Sequence, residues 1–108
     1  MPELTVREML EMQKRLQEKY KDKWTPLGPA TAKNQLLWML GECGEVIDIL
    51  KKQGGEAVTV PGPVREHFIE EMADVLMYYH DILLCCGISA DELRDSYIKK
   101  HETNMNRW

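Results

Sequence analysis

LLWMLGECGEVIDILKK, residues 36–52, is the stretch that decides the fold. Its apolar residues return every three or four positions, the period of a helix with a buried face, yet Glu42 and Glu45 stand inside the run. A second stretch, FIEEMADVLMYYHDILL at 68–84, repeats the arrangement with Glu71 and Asp74. Residues three apart share a helix face, so each segment projects two carboxylates in nearly the same direction. Uncompensated carboxylates on a mostly apolar surface are costly, and they persist when paired or bound to metal. Two such pairs brought together form an oxygen-rich cage suited to a hard divalent cation, Mg²⁺ or Mn²⁺.

Turning both segments by about 100° per residue gives each a broad apolar stripe. Leu36, Leu40, Cys43, Ile47 and Leu50 form it in the first, and Phe68, Met72, Val75, Leu76, Tyr79 and Leu83 in the second. The acidic pair lies to one side of the stripe in each. Both helices are apolar over more than the third of the circumference that a simple surface helix needs. That breadth predicts packing on two sides and self-association.

Working outward, helical period predicts a first helix from about Leu4 to Tyr20, with Val6, Met9, Leu10, Leu16 and Tyr20 on one side. KDKWTPLGP then breaks it with two prolines and a glycine. The second helix is expected from a cap near Thr31 to about Gln53. Glycines and prolines mark the next connection, with AVTV at 57–60 briefly extended. A third helix is expected from Val64 to Cys86, stopping at Gly87. Ser89, with Glu92 three residues on, is a capping-box start for a fourth. The expected fold is all-α: one four-helix bundle-like domain over 1–108, whose two central antiparallel helices carry ExxE and ExxD, assembling as an oligomer.

The 108 residues suit one domain. A 44% hydrophobic content fills a core, and 30% charged residues favour a soluble protein. A net charge of −4 without a basic run argues against nucleic acid as partner. No apolar stretch approaches the roughly 20 residues that span a bilayer, so no membrane role is expected. MPELTVREMLEMQ lacks the basic start and apolar stretch of a signal peptide, which makes a cytoplasmic protein the expectation. Cys43, Cys85 and Cys86 have no zinc spacing and read as reduced, mostly buried thiols.

ExxE at Glu42–Glu45, followed after 25 intervening residues by ExxD at Glu71–Asp74, resembles the signature of MazG-like nucleoside triphosphate pyrophosphohydrolases, members of the all-α NTP pyrophosphatase superfamily. GEVID at the second glutamate, EEMADVLMY around the second pair and GIS after the third helix are similar too. Lys100, Asn104 and Arg107 stand in the K-x-x-x-N-x-x-R pattern of that family. The resemblance runs from about Gln35 to Trp108. It implies that Glu42, Glu45, Glu71 and Asp74 hold Mg²⁺ on a nucleoside triphosphate. Water then attacks near the α-phosphorus, releasing a nucleoside monophosphate and pyrophosphate. Lys100 and Arg107 suit the remaining phosphate oxygens, and Asn104 sugar or phosphate. One of Glu42 and Glu45 is then the base, and the sequence does not assign which. Where many relatives have a further glutamate before the first motif residue, this chain has Gly41.

Lys33 and Asn34, just ahead of the second helix's core, are placed to reach a bound nucleotide. Trp24, Trp38 and Trp108 are candidates for stacking on a base, with packing the plainer reading for Trp38. Asp48 and Asp81 read as outer-shell or surface charges, and His67, His80 and His101 as surface or interface residues. A di-metal oxidase bundle would need Glu-x-x-His, but Val64, Met77 and Ile98 precede the three histidines at that spacing. The expected activity is Mg²⁺-dependent hydrolysis of (d)NTPs to (d)NMP and pyrophosphate by a homodimer or homotetramer. The alternatives are a non-catalytic helical interaction module and a relative acting on another nucleotide such as phosphoribosyl-ATP.

Overall fold

A computed structural model describes residues 3–107. Every regular element among them is helical: α1 Val6–Lys19, α2 Ala32–Gln53, α3 Gly55–Val58, α4 Pro63–Cys85 and α5 Ala90–Met105, with a 3-10 turn at Pro29–Thr31. None of these helices is long and apolar enough to cross a membrane.

Local chemistry explains where the helices begin and end. Thr5 caps α1 and Glu8 returns the bond, a capping box that is legible as T-x-x-E. Ser89 and Glu92 do the same for α5, as expected. At the end of α4, Gly87 takes a left-handed φ of 64°. There the Ile88 N–H reaches the Leu83 carbonyl at 3.0 Å and the Gly87 N–H reaches Leu84 at 3.3 Å, the two bonds of a Schellman ending.

Two expectations fail here. Thr31 does not cap α2 with its side chain. Its hydroxyl instead accepts the Gly28 N–H at 3.0 Å and closes the preceding 3-10 turn. AVTV is not extended: Gly55–Val58 is the single helical turn α3. With no neighbouring strand to pair with, this segment satisfies its carbonyls locally. The Glu56 carbonyl takes the Thr59 hydroxyl at 2.7 Å, and the Val58 carbonyl takes Arg65 at 2.9 Å.

α2 and α4 pack along their length, and α1 lies against α4. Their order is antiparallel. Thr31 meets Cys85 at one end, and Gln53 shares a groove with Pro63 at the other. Leu10, Val46, Ile49, Leu83 and Cys85 are the buried hydrophobic residues. The expected stripes fill the core only in part: Leu83 is buried and Cys43, Phe68 and Val75 are half-buried. Leu36, Leu40, Ile47 and Leu50 of α2 are exposed, as are Met72, Leu76 and Tyr79 of α4. The face of α2 that meets α4 is the neighbouring one, through Val46, Ile49 and the half-buried Glu42.

α5 meets α1 alone among the helices, where Arg7 pairs with Asp91. One chain is therefore a unit of α1, α2, α4 and the one-turn α3, with α5 projecting from it. Its radius of gyration is 16.2 Å, against about 13 Å for a compact domain of this length. Its accessible surface is 8546 Å², against about 6,200 Å² for a folded monomer of this mass.

Candidate functional site

α2 and α4 bring three of the four expected carboxylates together. One oxygen each of Glu42, Glu71 and Asp74 lies within 4.8 Å of the other two, and all three side chains are half-buried. Glu71 and Asp74 are adjacent turns of one α4 face, and Glu42 meets them because it shares the packed face of α2 with Val46. Their mutual repulsion is visible in Glu42. Loss of water pushes its carboxyl above the usual range, and a shared hydrogen bond with Glu71 and the charges of Asp74, Glu71 and Glu45 push it further. His67 stands 3.9 Å from Glu71 as a weak partner.

Glu45 departs from the four-carboxylate expectation. It is exposed and outside the three-residue cluster, although near enough for its charge to act on Glu42. Glu45 instead lines a separate groove beside His67 and Asp48.

A cavity of about 530 Å³ opens at the other side of Asp74, between α1, the loop after it, α2 and α4. Trp24 and Trp38 supply aromatic walls, and Gln13, Gln17 and Asp81 a polar one. Trp24 is held by stacking on Tyr20, ring centroids 4.8 Å apart. Trp38 is 62% exposed, so it is not a core residue. Tyr78 also lines the cavity, and burial followed by the charges of Glu42, Asp81 and Asp74 holds its hydroxyl above the ordinary range.

Asp81 is not a surface charge, one of the two roles expected of it, being only 3% exposed. Gln13 Nε2 donates to its Oδ1 at 2.9 Å and Gln17 Nε2 to the same oxygen at 3.2 Å. These amides compensate for lost water, so a carboxylate is tolerated there. The sequence missed this trio because Asp81 lies more than 60 positions from either glutamine, and only the i, i+4 glutamines on one face of α1 hinted at a shared target. His80 is buried too, its Nδ1–H donating to the Leu76 carbonyl at 2.7 Å. Asp48 is exposed beside Lys52, as expected of a surface charge. Cys85 is buried, whereas Cys43 is half-buried and Cys86 is exposed.

Burial raises the Asp81 carboxyl above its ordinary range, and the two amides and His80 oppose that only in part. A raised folded-state value means that Asp81 favours the fold fully below the unfolded value, about pH 4. That contribution is lost as pH rises through the folded value. Asp81→Asn is therefore expected to match or exceed the parent's melting temperature at neutral pH, and to lose less stability between mildly acidic and neutral buffer. Thermal melts across that range check both.

The remaining candidates are not gathered at the carboxylates. Lys33 and Asn34 are exposed in the first turn of α2 and do not line the cavity, whereas the next residue, Gln35, does. Lys100, Asn104 and Arg107 lie at the exposed end of the chain, beyond any helix packed on α2 or α4. Trp108 falls outside the described residues. Compared with protein-family models, with curated protein sequences and with solved structures, the chain matches none of them.

Proposed function

We propose that this chain is an Mg²⁺-dependent nucleoside triphosphate pyrophosphohydrolase of the MazG-like kind, acting on (d)NTPs in the cytoplasm. The observation that carries the proposal is the convergence of Glu42, Glu71 and Asp74 beside a cavity large enough for a nucleoside, with Asp74 bordering both. Three mutually repelling, half-buried oxygens without a lysine or arginine among them suit a hard cation with its other positions left to water and phosphate. Mn²⁺ meets the same requirements. When bound, the cation neutralises charge on phosphate oxygens and acidifies a water.

This chain's own residues do the rest. Glu42, Glu71 and Asp74 fix where the triphosphate lies. Glu45, close to the cluster but not in it, is the carboxylate left free to accept a proton from the attacking water. The choice of the α–β bond rests on the resemblance of the two acidic motifs to the MazG-like signature. Incubation with Mg²⁺ and a panel of triphosphates, including phosphoribosyl-ATP, is expected to release pyrophosphate. Release of orthophosphate alone would refute the reading.

A second copy belongs to this proposal. The exposed apolar stripes of α2 and α4 and the projecting α5 suit a homodimer or homotetramer, completing a bundle that one chain leaves open. In it, α5 of a neighbour and the turn after it bring Lys100, Asn104 and Arg107 to the phosphates. The same exposed stripes favour a second reading, a non-catalytic helical interaction module. That module predicts no rise in melting temperature with Mg²⁺ and nucleotide together.

A further inference from the structure

A groove of about 410 Å³ runs between the C-terminal ends of α1 and α4, bounded by the loop that follows α1. We propose that it binds a small aromatic carboxylate. None of Glu42, Glu71 and Asp74 borders the groove, so this inference stands independently of the hydrolase reading.

The apolar half of the site is already built. Leu27, Leu84 and Ile88 line the groove and are half-buried, and Trp24 forms a wall. Trp24 is 41% exposed, yet it is held in place. Its ring stacks on Tyr20, and its backbone N–H reaches the Tyr20 carbonyl at 2.8 Å. A fixed indole with an open side accepts a flat ring by offset stacking. Ile88 is anchored as well, through its N–H bond to the Leu83 carbonyl. The groove's volume falls within the range of small-molecule sites.

Charge selects the head group. Lys14, Glu18 and Lys21 are the charged residues of the groove. Lys21 takes Glu18 at 3.0 Å, and Lys14 has no hydrogen-bond or ionic partner among the described residues. An anion therefore meets an uncommitted ammonium with three donors, whereas a cation meets a glutamate already neutralised. Lys14 lies one turn before Gln17 and Glu18 on α1, and Trp24 lies beyond the helix end. A carboxylate at Lys14 thus directs its ring toward Trp24.

Gln17, Trp24 and Thr25 also line the cavity beside Asp74, so the two spaces share a partition. Lys14 borders the groove alone, and Lys23 the cavity alone. That difference supplies a control of equal charge.

The test titrates 2-naphthoate, and separately its neutral amide, into the ¹⁵N-labelled chain and follows backbone amide and indole N–H resonances. Saturable shifts are expected at Trp24, Leu84 and Ile88, with a dissociation constant below about 1 mM, the scale for a ligand of about thirteen heavy atoms. The amide should bind about fivefold more weakly, having lost its attraction to an exposed cation. Lys14→Glu should weaken naphthoate about tenfold by turning that attraction into repulsion. Lys14→Arg should preserve affinity, and so should Lys23→Glu, which makes the same change of net charge. Lys14 is exposed, so its variants should fold, and unchanged resonances away from the groove check this. Equal binding of acid and amide, or equal losses in Lys14→Glu and Lys23→Glu, overturns the proposal. So does the absence of saturation, or shifts confined to Leu40 and Ile47 on the exposed stripe of α2.

Discussion

Asp74→Asn is expected to cut Mg²⁺-dependent pyrophosphate release by on the order of a hundredfold to a thousandfold, the scale of losing one preorganised electrostatic contact in an active site. Asp74 is the most exacting position because it borders both the carboxylate cluster and the cavity. Asparagine keeps its shape, so packing against α2 is preserved, but the negative charge that draws a cation is lost. Glu71→Gln should behave alike. Stability separates this from a structural role. Burial, then the hydrogen bond with Glu71 and the charges of Asp74, Glu71 and Glu45, raise the Glu42 carboxyl, so removing a charge should leave the variant at least as stable as the parent in EDTA. In Mg²⁺ the order should reverse, because the parent alone gains the stabilisation of binding, about 2.7 kcal/mol at a hundred times its dissociation constant. For a domain this size, that is a rise of roughly ten degrees or more in melting temperature. Equal melts in EDTA and Mg²⁺ for the parent, or full turnover by Asp74→Asn, would dismiss the site.

Glu45→Gln distinguishes the two acidic positions of α2. With Glu45 outside the triad, the variant should keep the Mg²⁺-induced rise in melting temperature while losing turnover. Loss of both would place Glu45 among the ligands after all.

Which parts of this architecture are legible in the sequence follows from the range of the forces involved. Helix ends are local: Ser89 with Glu92, and Gly87 after α4, act within a few residues and can be read directly. Thr5 with Glu8 was equally readable. The convergence of Glu42 with Glu71 and Asp74 follows from two anomalous polar pairs in apolar helices. The facing of α2 was not legible, because its apolar surface is broader than one contact. Leu40 and Val46 look equally suited to a core, yet only Val46 is buried. Asp81 looks like one more exposed acid until Gln13 and Gln17 arrive from a distant helix. The detachment of α5 is hidden for a related reason: Tyr97, Ile98 and Met105 look able to anchor it but are all exposed.

Those unused apolar surfaces give the second large effect: under the proposed assembly, Leu40→Asp together with Ile47→Asp is expected to convert an active oligomer into a folded, inactive monomer. Leu40 is 56% and Ile47 61% exposed, seven residues apart on one face of α2 with Leu36 and Leu50. The surface in excess of a compact monomer is about 2,300 Å², well above the roughly 800 Å² that each partner gives to a standard interface. In a two-fold pair each substitution appears twice, and each buries a carboxylate at a cost of several kcal/mol. Neither residue packs in the core of one chain, so helical content should persist. Light scattering at micromolar concentration should give the dimer or tetramer mass for the parent and the single-chain mass for the variant. Turnover should fall because, in the proposed assembly, the C-terminal segment of a neighbour would no longer deliver Lys100 and Arg107. The Mg²⁺-induced rise in melting temperature should survive, because Glu42, Glu71 and Asp74 all come from one chain. A parent already monomeric would sink the self-association reading. A monomeric variant with full turnover would show that each chain works alone, and would return the phosphate contacts to residues nearer the triad.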